Sequence, residues 1–314
     1  MDKNVMIEIE NLTKKYDDVI AVDHLNLDIY EGEIFGLLGP NGAGKTTTIL
    51  ILLGLTEPTA GNATINGYNT TKEPIHVKKI VGYLPDNVGF YEDMTARENL
   101  RFTGRLNNLN EKEIESRIDS LLERVKLVDV GDRKVATYSR GMKQRLGIAD
   151  TLMKNPKVII LDEPTIGLDP AGINEMLELI EELAREDNRT VLISSHQLYQ
   201  IQKICDRVGI FVNGKLLAEG PIHTLGEKVF EDQPLTLELN VEPIDDKLVS
   251  LIQSISEDVN ISIDDHEKIF IKSNNDIRTP LLRILSDNDY SVLFLKQRGR
   301  DLDDIYSRYF AGEE

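Results

Sequence analysis

Gly39-Pro40-Asn41-Gly42-Ala43-Gly44-Lys45-Thr46-Thr47 decides how this chain is read. The stretch has the spacing G-x-x-x-x-G-K-[ST] of a loop that wraps a polyphosphate. Its glycines let the backbone close on a ligand and turn N–H groups inward. An apolar run, Ile34-Phe35-Gly36-Leu37-Leu38, precedes the loop, and a second, Ile49 to Leu53, follows it. Strand, loop and helix in that order are the setting such a loop requires. The helix adds the positive end of its dipole. In this pattern Lys45 neutralises the β- and γ-phosphates, and the Thr46 hydroxyl ligates Mg²⁺.

Further along, Val158-Ile159-Ile160-Leu161-Asp162-Glu163 puts two carboxylates at the end of an apolar run. Ligands of open α/β sheets bind beyond the carboxyl ends of the strands. There Asp162 would hold Mg²⁺, and Glu163 would polarise an attacking water, the division of labour that phosphoryl transfer uses. Acidic residues also end strands as solvated caps, so the pair gains its meaning from the phosphate loop. His196 closes the next apolar run, Val191-Leu192-Ile193-Ser194-Ser195-His196. It is either a structural hydrogen bonder or a donor to a γ-phosphate.

The surrounding pattern predicts an α/β fold. Met6 to Leu12 and Val19 to Ile29 alternate apolar and polar residues, as half-buried antiparallel strands do. Asn66-Gly67 and Asn213-Gly214 carry hairpin turn chemistry. Val158–Leu161 and Val191–Ile193 are continuously apolar, which suits parallel strands covered on both faces. Helical periodicity marks Glu111 to Lys126, Gly141 to Lys154, Ile173 to Asp187 and Gln197 to Asp206. After Gly220-Pro221 the pattern changes. A linker is expected at 226–234, then the order strand, helix, strand, strand, helix, strand over 235–295, a split unit of ferredoxin-like type. A closing helix is expected over Asp301 to Phe310.

The chain has 314 residues and a formal net charge of −18, which argues against nucleic acid as a partner. It has no run of eighteen apolar residues, and its first residues open no signal peptide. The single cysteine, Cys205, forbids an intrachain disulfide. A soluble cytosolic protein is the default expectation.

From about residue 5 to 220 the sequence resembles the ATP-binding subunits of ABC transporters. The resemblance rests on GPNGAGKTT at 39–47, on Val158–Glu163 continuing into Pro164-Thr165-Ile166-Gly167-Leu168-Asp169-Pro170, and on Tyr138-Ser139-Arg140-Gly141-Met142-Lys143-Gln144-Arg145. It implies a phosphate-loop ATPase domain over 1–225, with a mainly parallel core, an N-terminal antiparallel subdomain and a helical subdomain at about 87–150. A small α+β domain at 235–314 is added to it. ATP and Mg²⁺ are the implied ligands, with Gly39, Pro40, Asn41, Gly42, Ala43, Gly44, Lys45, Thr46 and Thr47 around the phosphates. Glu163 is the implied catalytic carboxylate, His196 the switch histidine and Tyr16 the ring that stacks on adenine. Asp169 falls in a loop that communicates across a dimer.

The motif that defines the family usually reads LSGGQ. Here Ser139 and Gly141 are kept, Arg140 replaces a glycine and Met142 replaces the glutamine. Ser139 and Gly141 would meet the γ-phosphate of ATP held by a second, head-to-tail subunit. Arg140 either adds charge near those phosphates or points to solvent. Asp86, in Val81-Gly82-Tyr83-Leu84-Pro85-Asp86, stands where the family carries a glutamine that touches Mg²⁺ and senses the membrane partner. The resemblance thus makes Asp86 a metal-site residue that, shorter by one methylene and charged, either ligates Mg²⁺ more strongly or fails to reach it. The resemblance further implies an integral membrane permease, encoded separately and docked on a patch around Phe90, Tyr91 and Met94. The protein would then lie at the inner face of the cell membrane. The ending Arg300-Asp301-Leu302-Asp303-Asp304-Ile305-Tyr306 is similar to that of exporter-type subunits of the drug, polysaccharide, sodium and copper-maturation groups. The alternative is an ABC ATPase that acts on a non-membrane partner. DNA-maintenance members insert long coiled coils between the phosphate loop and the family motif, and fewer than a hundred residues separate Gly44 from Ser139. Ribosome-acting members carry two ATPase units in one chain, and this chain has one phosphate loop.

Overall fold

The computed structural model describes residues 4–222, 224–225, 234–264 and 268–298. The chain divides after Ile222 into two compact units.

The first unit contains two sheets. Strands β1 (Val5–Tyr16), β2 (Val19–Tyr30), β4 (Ala60–Ile65) and β5 (Tyr68–Asn69) form an antiparallel sheet in the order β2-β1-β4-β5. On β1, Ile7, Ile9 and Leu12 point into the core. The tight turn between β4 and β5 uses Asn66 and Gly67, both at positive φ.

The second sheet holds β3 (Ile34–Leu38), β6 (Val81–Leu84), β7 (Val158–Asp162), β8 (Thr190–Ser195), β9 (Arg207–Val212) and β10 (Lys215–Gly220). Its order is β10-β9-β3-β8-β7-β6. All neighbours run parallel except β9 and β10, which form the hairpin at Asn213-Gly214. Every residue of β3 and β7 is buried. Their unbroken apolar character follows from cover on both faces. Burying one such Leu or Ile side chain contributes roughly 1.5–3 kcal/mol.

Helices α1 (Lys45–Leu52), α2 (Pro74–Ile80), α3 (Ala96–Leu106), α4 (Glu111–Arg124), α5 (Arg140–Leu152) and α6 (Pro170–Arg185) complete the unit. Helices α3, α4 and α5 pack on one another, and α5 also packs on β6. Local chemistry sets their starts. Thr95 and Glu98 close a capping box on α3, and Asn110, Ser139 and Asp169 cap α4, α5 and α6 through backbone N–H groups three residues on. The helix expected over Gln197 to Asp206 is only the single turn α7 (Leu198–Ile201). Ile34 N–H is bound by the Asp206 carboxylate, which ties the end of that stretch to β3 instead. No helix among the described residues is long and apolar enough to cross a membrane.

The second unit follows the order β11 (Leu235–Glu242), α8 (Asp246–Gln253), β12 (Asn260–Ile263), β13 (Ile269–Ser273), α9 (Arg278–Asp287) and β14 (Ser291–Arg298). Its sheet is antiparallel throughout, in the order β12-β13-β11-β14. Leu235, Leu237, Leu239, Ile269, Ile271, Leu281 and Leu285 fill its core. Among the described residues of this unit, Glu238 is the buried charge. Lys268 Nζ at 3.1 Å and Arg298 Nε at 2.5 Å answer it, and the hydrogen bond from Arg298 chiefly holds its carboxyl below the usual glutamate range. The expected linker, apart from Pro234, and the expected closing helix lie outside the described residues.

Candidate functional site

Strand register gathers the site. Leu38 of β3 pairs with Ser195 of β8, and Asp162 of β7 pairs with Ser194 of β8. The phosphate loop, the carboxylate pair and His196 therefore leave the parallel sheet at one edge. There they surround a hollow of about 390 Å³ lined by Asn41, Gly42, Ala43, Gly44, Lys45, Thr46, Thr47, Asp86, Asp162, Glu163 and His196. Ala21 and Ile166, which the sequence did not single out, also line it.

Gly44 starts α1 at φ 104°, a conformation open to glycine. A Cβ there would stand 2.2 Å from the Ala21 carbonyl oxygen on β2. Gly39 and Pro40 act through their backbone. The Lys45 ammonium donates to the Gly39 carbonyl at 2.7 Å and the Pro40 carbonyl at 3.0 Å. Lys45 is only 6% exposed, and burial pulls its pKa down against the opposing pull of Glu163 and Asp162. Its Nζ lies 3.9 Å from Glu163 Oε1.

Asp162 is 3% exposed and has two hydroxyl partners. Thr46 Oγ1 donates to Oδ2 at 3.1 Å, and Ser194 Oγ donates to Oδ1. Ser194 is a partner that the sequence reading missed. The signal available was its place two residues before His196, on the strand beside Val158–Asp162. Burial, together with the negative charges of Asp162 and Asp86, pushes the Tyr83 hydroxyl up to about 12.

Glu163 adopts φ +50°, in the left-handed region. For a side-chain-bearing residue this is strained backbone of the kind functional sites retain. Its N–H is fixed on the Ser194 carbonyl at 3.1 Å. Its Oε1 lies 3.0 Å from His196 Nδ1, out of hydrogen-bond alignment. The pair is a close electrostatic approach, with the imidazole beside the carboxylate.

Tyr16 is not part of this lining. It ends β1, paired with Val19 two residues before Ala21, and its ring is 45% exposed with Lys14 Nζ 4.7 Å from the centroid. Ser139 and Gly141 also stand apart. They line a second hollow, of about 420 Å³, with Arg140, Arg145, Gly167, Leu168 and Asp169. The starts of α5 and α6 both contribute residues to it. On the helical subdomain, Tyr91 and Phe102 form an exposed edge-to-face pair with centroids 5.2 Å apart. Phe90 and Met94 are half-buried, so Phe102 replaces them in the expected patch.

A buried lysine on a glycine-rich loop, a hydroxyl–carboxylate pair and a second carboxylate beside an imidazole are the parts of a site of phosphate-loop type. Comparison with known proteins gives the family. Residues 22–166 match the family model described as ABC transporter. The bacitracin transport ATP-binding protein BcrA of Bacillus licheniformis is 46% identical over 225 residues, which are 72% of each chain. The linearmycin resistance ATP-binding protein LnrL of Bacillus subtilis (strain 168) is 34% identical over 95% of this chain and 100% of that relative. Among solved structures, the post-hydrolysis dimer of the ATP-binding cassette MJ0796, bound to ADP and Pi, aligns with a TM-score of 0.63 at 27% identity, over 69% of this chain and 98% of that one. The chain belongs to the ABC transporter family as one of its ATP-binding subunits, and is an ATPase of that type.

Proposed function

We propose that this ATPase works as a head-to-tail dimer and energises export through a separately encoded integral membrane permease, which holds it at the inner face of the cell membrane. The observation that carries the reading is the meeting of Lys45, Thr46, Asp162, Glu163 and His196 on one hollow. Transport and resistance in the names of the relatives BcrA and LnrL support export.

Each residue has a role suited to its place. Lys45 leaves the loop carbonyls to neutralise phosphate, a short move for a buried ammonium already aimed at the cavity. Thr46 Oγ1 and Asp162 are hard oxygen donors 3.1 Å apart, a pairing that fits Mg²⁺. When bound there, Mg²⁺ would spread the charge that develops on the phosphoryl oxygens. Glu163 accepts the proton of the attacking water, and its fixed backbone keeps the carboxylate facing the cavity. His196 restrains that carboxylate and offers a donor toward the γ-phosphate. Tyr16 offers a ring face to adenine beyond the phosphate hollow. Ser139 and Gly141, in the separate hollow, serve the nucleotide of the second subunit. The second unit is read as ferredoxin-like, because its sheet order, β14-β11-β13-β12, is that of a split βαββαβ unit.

Glu163→Gln tests the reading. The substitution keeps size and removes the base. The variant should bind ATP, lose turnover and accumulate as an ATP-bound dimer measurable by light scattering. Turnover at the wild-type rate would refute the assignment of Glu163. Copurification of a membrane protein with the tagged chain tests the permease.

A further inference from the structure

Two of the three places where this chain departs from its family's usual wording, Asp86 and Arg140, meet in space. Arg140 Nη2 lies 3.9 Å from Asp86 Oδ1, and both side chains are 54% exposed. The other face of Arg140 is also engaged. A Cβ built on Gly167 would stand 2.8 Å from Arg140 Cζ, Nε and Nη1 alike, so the guanidinium plane lies flat on that glycine. Gly167 sits at φ +70° in the loop between Glu163 and Asp169. Although half exposed, the Arg140 guanidinium is thus placed between the Asp86 carboxylate and Gly167. Gln144, one turn further along α5, grips the segment that carries Asp86. Its Nε2 donates to the Asp86 carbonyl at 3.4 Å, and its Oε1 is buried with no partner.

Asp86 is the residue shared by the phosphate-loop hollow and a neighbouring hollow lined by Tyr138, Arg140, Lys143 and Gln144. Arg140 in turn is shared by that neighbour and by the hollow that holds Ser139 and Asp169. The three hollows therefore follow one another through shared lining residues, from the cavity around Lys45 to the surface around Ser139, within a single chain.

We propose that Arg140 is a positioning residue. Through its charge pair with Asp86 and its stacking on Gly167, it ties the phosphate cavity of a subunit to the Ser139 surface that the same subunit offers its partner. The inference rests on the dimeric ATPase reading above. A neutral glutamine at position 86 or a glycine at position 140 could not make this charge pair. The pair sets the relative placement of loop 164–169 and the start of α5, so its loss lowers turnover without weakening the grip of Lys45 on the nucleotide.

The test is the steady-state ATPase activity of the full chain with Mg²⁺ and ATP. Arg140→Gln and Asp86→Asn should each lower kcat by about two- to five-fold, the range an exposed pair supports, with KM for ATP held within about two-fold. The double variant should be no slower than the worse single variant. Asp86→Glu, which keeps the charge, should be faster than Asp86→Gln, which matches that variant in size and lacks the charge. Single effects that multiply in the double variant, or equal rates for Asp86→Glu and Asp86→Gln, overturn the proposal. The latter comparison decides even if Arg140→Gln fails to fold. Lys45→Ala separates the two levels of argument. If it leaves turnover intact, the ATPase site itself is misplaced. If it abolishes turnover while the Asp86 and Arg140 effects multiply, only the tie is wrong.

Discussion

Ser194→Ala removes one hydroxyl from the most deeply buried carboxylate of the site. Asp162 is 3% exposed and has two hydroxyl donors, Thr46 and Ser194, with Ser194 itself fully buried. Alanine leaves Oδ1 without that donor, in a place where water has little access. A hydrogen bond to a charged group is worth about 1.5–3 kcal/mol, and the unmet oxygen cannot recover its hydration. For a unit of this size, a loss of about 2 kcal/mol lowers the melting temperature by about 4–8 °C. Differential scanning calorimetry on the nucleotide-free chain measures the shift. In an Asp162→Asn background the acceptor is neutral, so the same Ser194→Ala change should cost about half as much, near 1 kcal/mol. A shift below about 1 °C, or an equal cost in both backgrounds, would refute the claim that Ser194 satisfies the Asp162 charge.

Two further substitutions probe the phosphate loop. Lys45 has its folded pKa lowered below the ordinary 10.5, chiefly by burial. In the window between that lowered value and 10.5 the unfolded chain binds more protons, so this group makes stability rise with pH. Urea midpoints should show wild type gaining on Lys45→Met as pH goes from neutral towards 10.5; a constant difference contradicts the burial cost. Added ATP should stabilise wild type and leave Lys45→Met unchanged. Gly44→Ala meets both φ 104° and the Ala21 carbonyl at 2.2 Å. It should lower stability by about 1–3 kcal/mol or more and abolish nucleotide binding. Equilibrium titration with a fluorescent ATP analogue checks the second part.

Much of this molecule can be read before it is seen. The phosphate loop, the apolar parallel strands and the carboxylates at their ends are local patterns with single physical explanations. Continuous Val, Ile and Leu runs are stable in few settings other than a sheet covered on both sides. The missing parts depend on neighbours remote in sequence. Ser194 looks like any small residue ending a strand until register sets it opposite Asp162. Arg140 has no visible partner in sequence, because Asp86 lies 54 positions earlier and is joined to it only by packing of α5 on β6. The stretch after His196 has helical periodicity, yet the binding of Asp206 to Ile34 limits the helix to one turn. The strand β6 is four residues long, too short to stand out as a pattern in the sequence. Tyr16 could be matched by position in the family, but its distance from the phosphate hollow is set by where β1 ends.

The backbone twist at Glu163 limits what evolution can do with this position. A left-handed φ of +50° is tolerated by glycine, asparagine and aspartate, and strongly opposed by valine, isoleucine or threonine. A descendant that gave up splitting ATP, and kept the fold only as a nucleotide-gated clamp, would drift here toward the small or amide side chains. The branched ones would stay closed to it, so the shape of the main chain would go on recording a chemistry that had been lost.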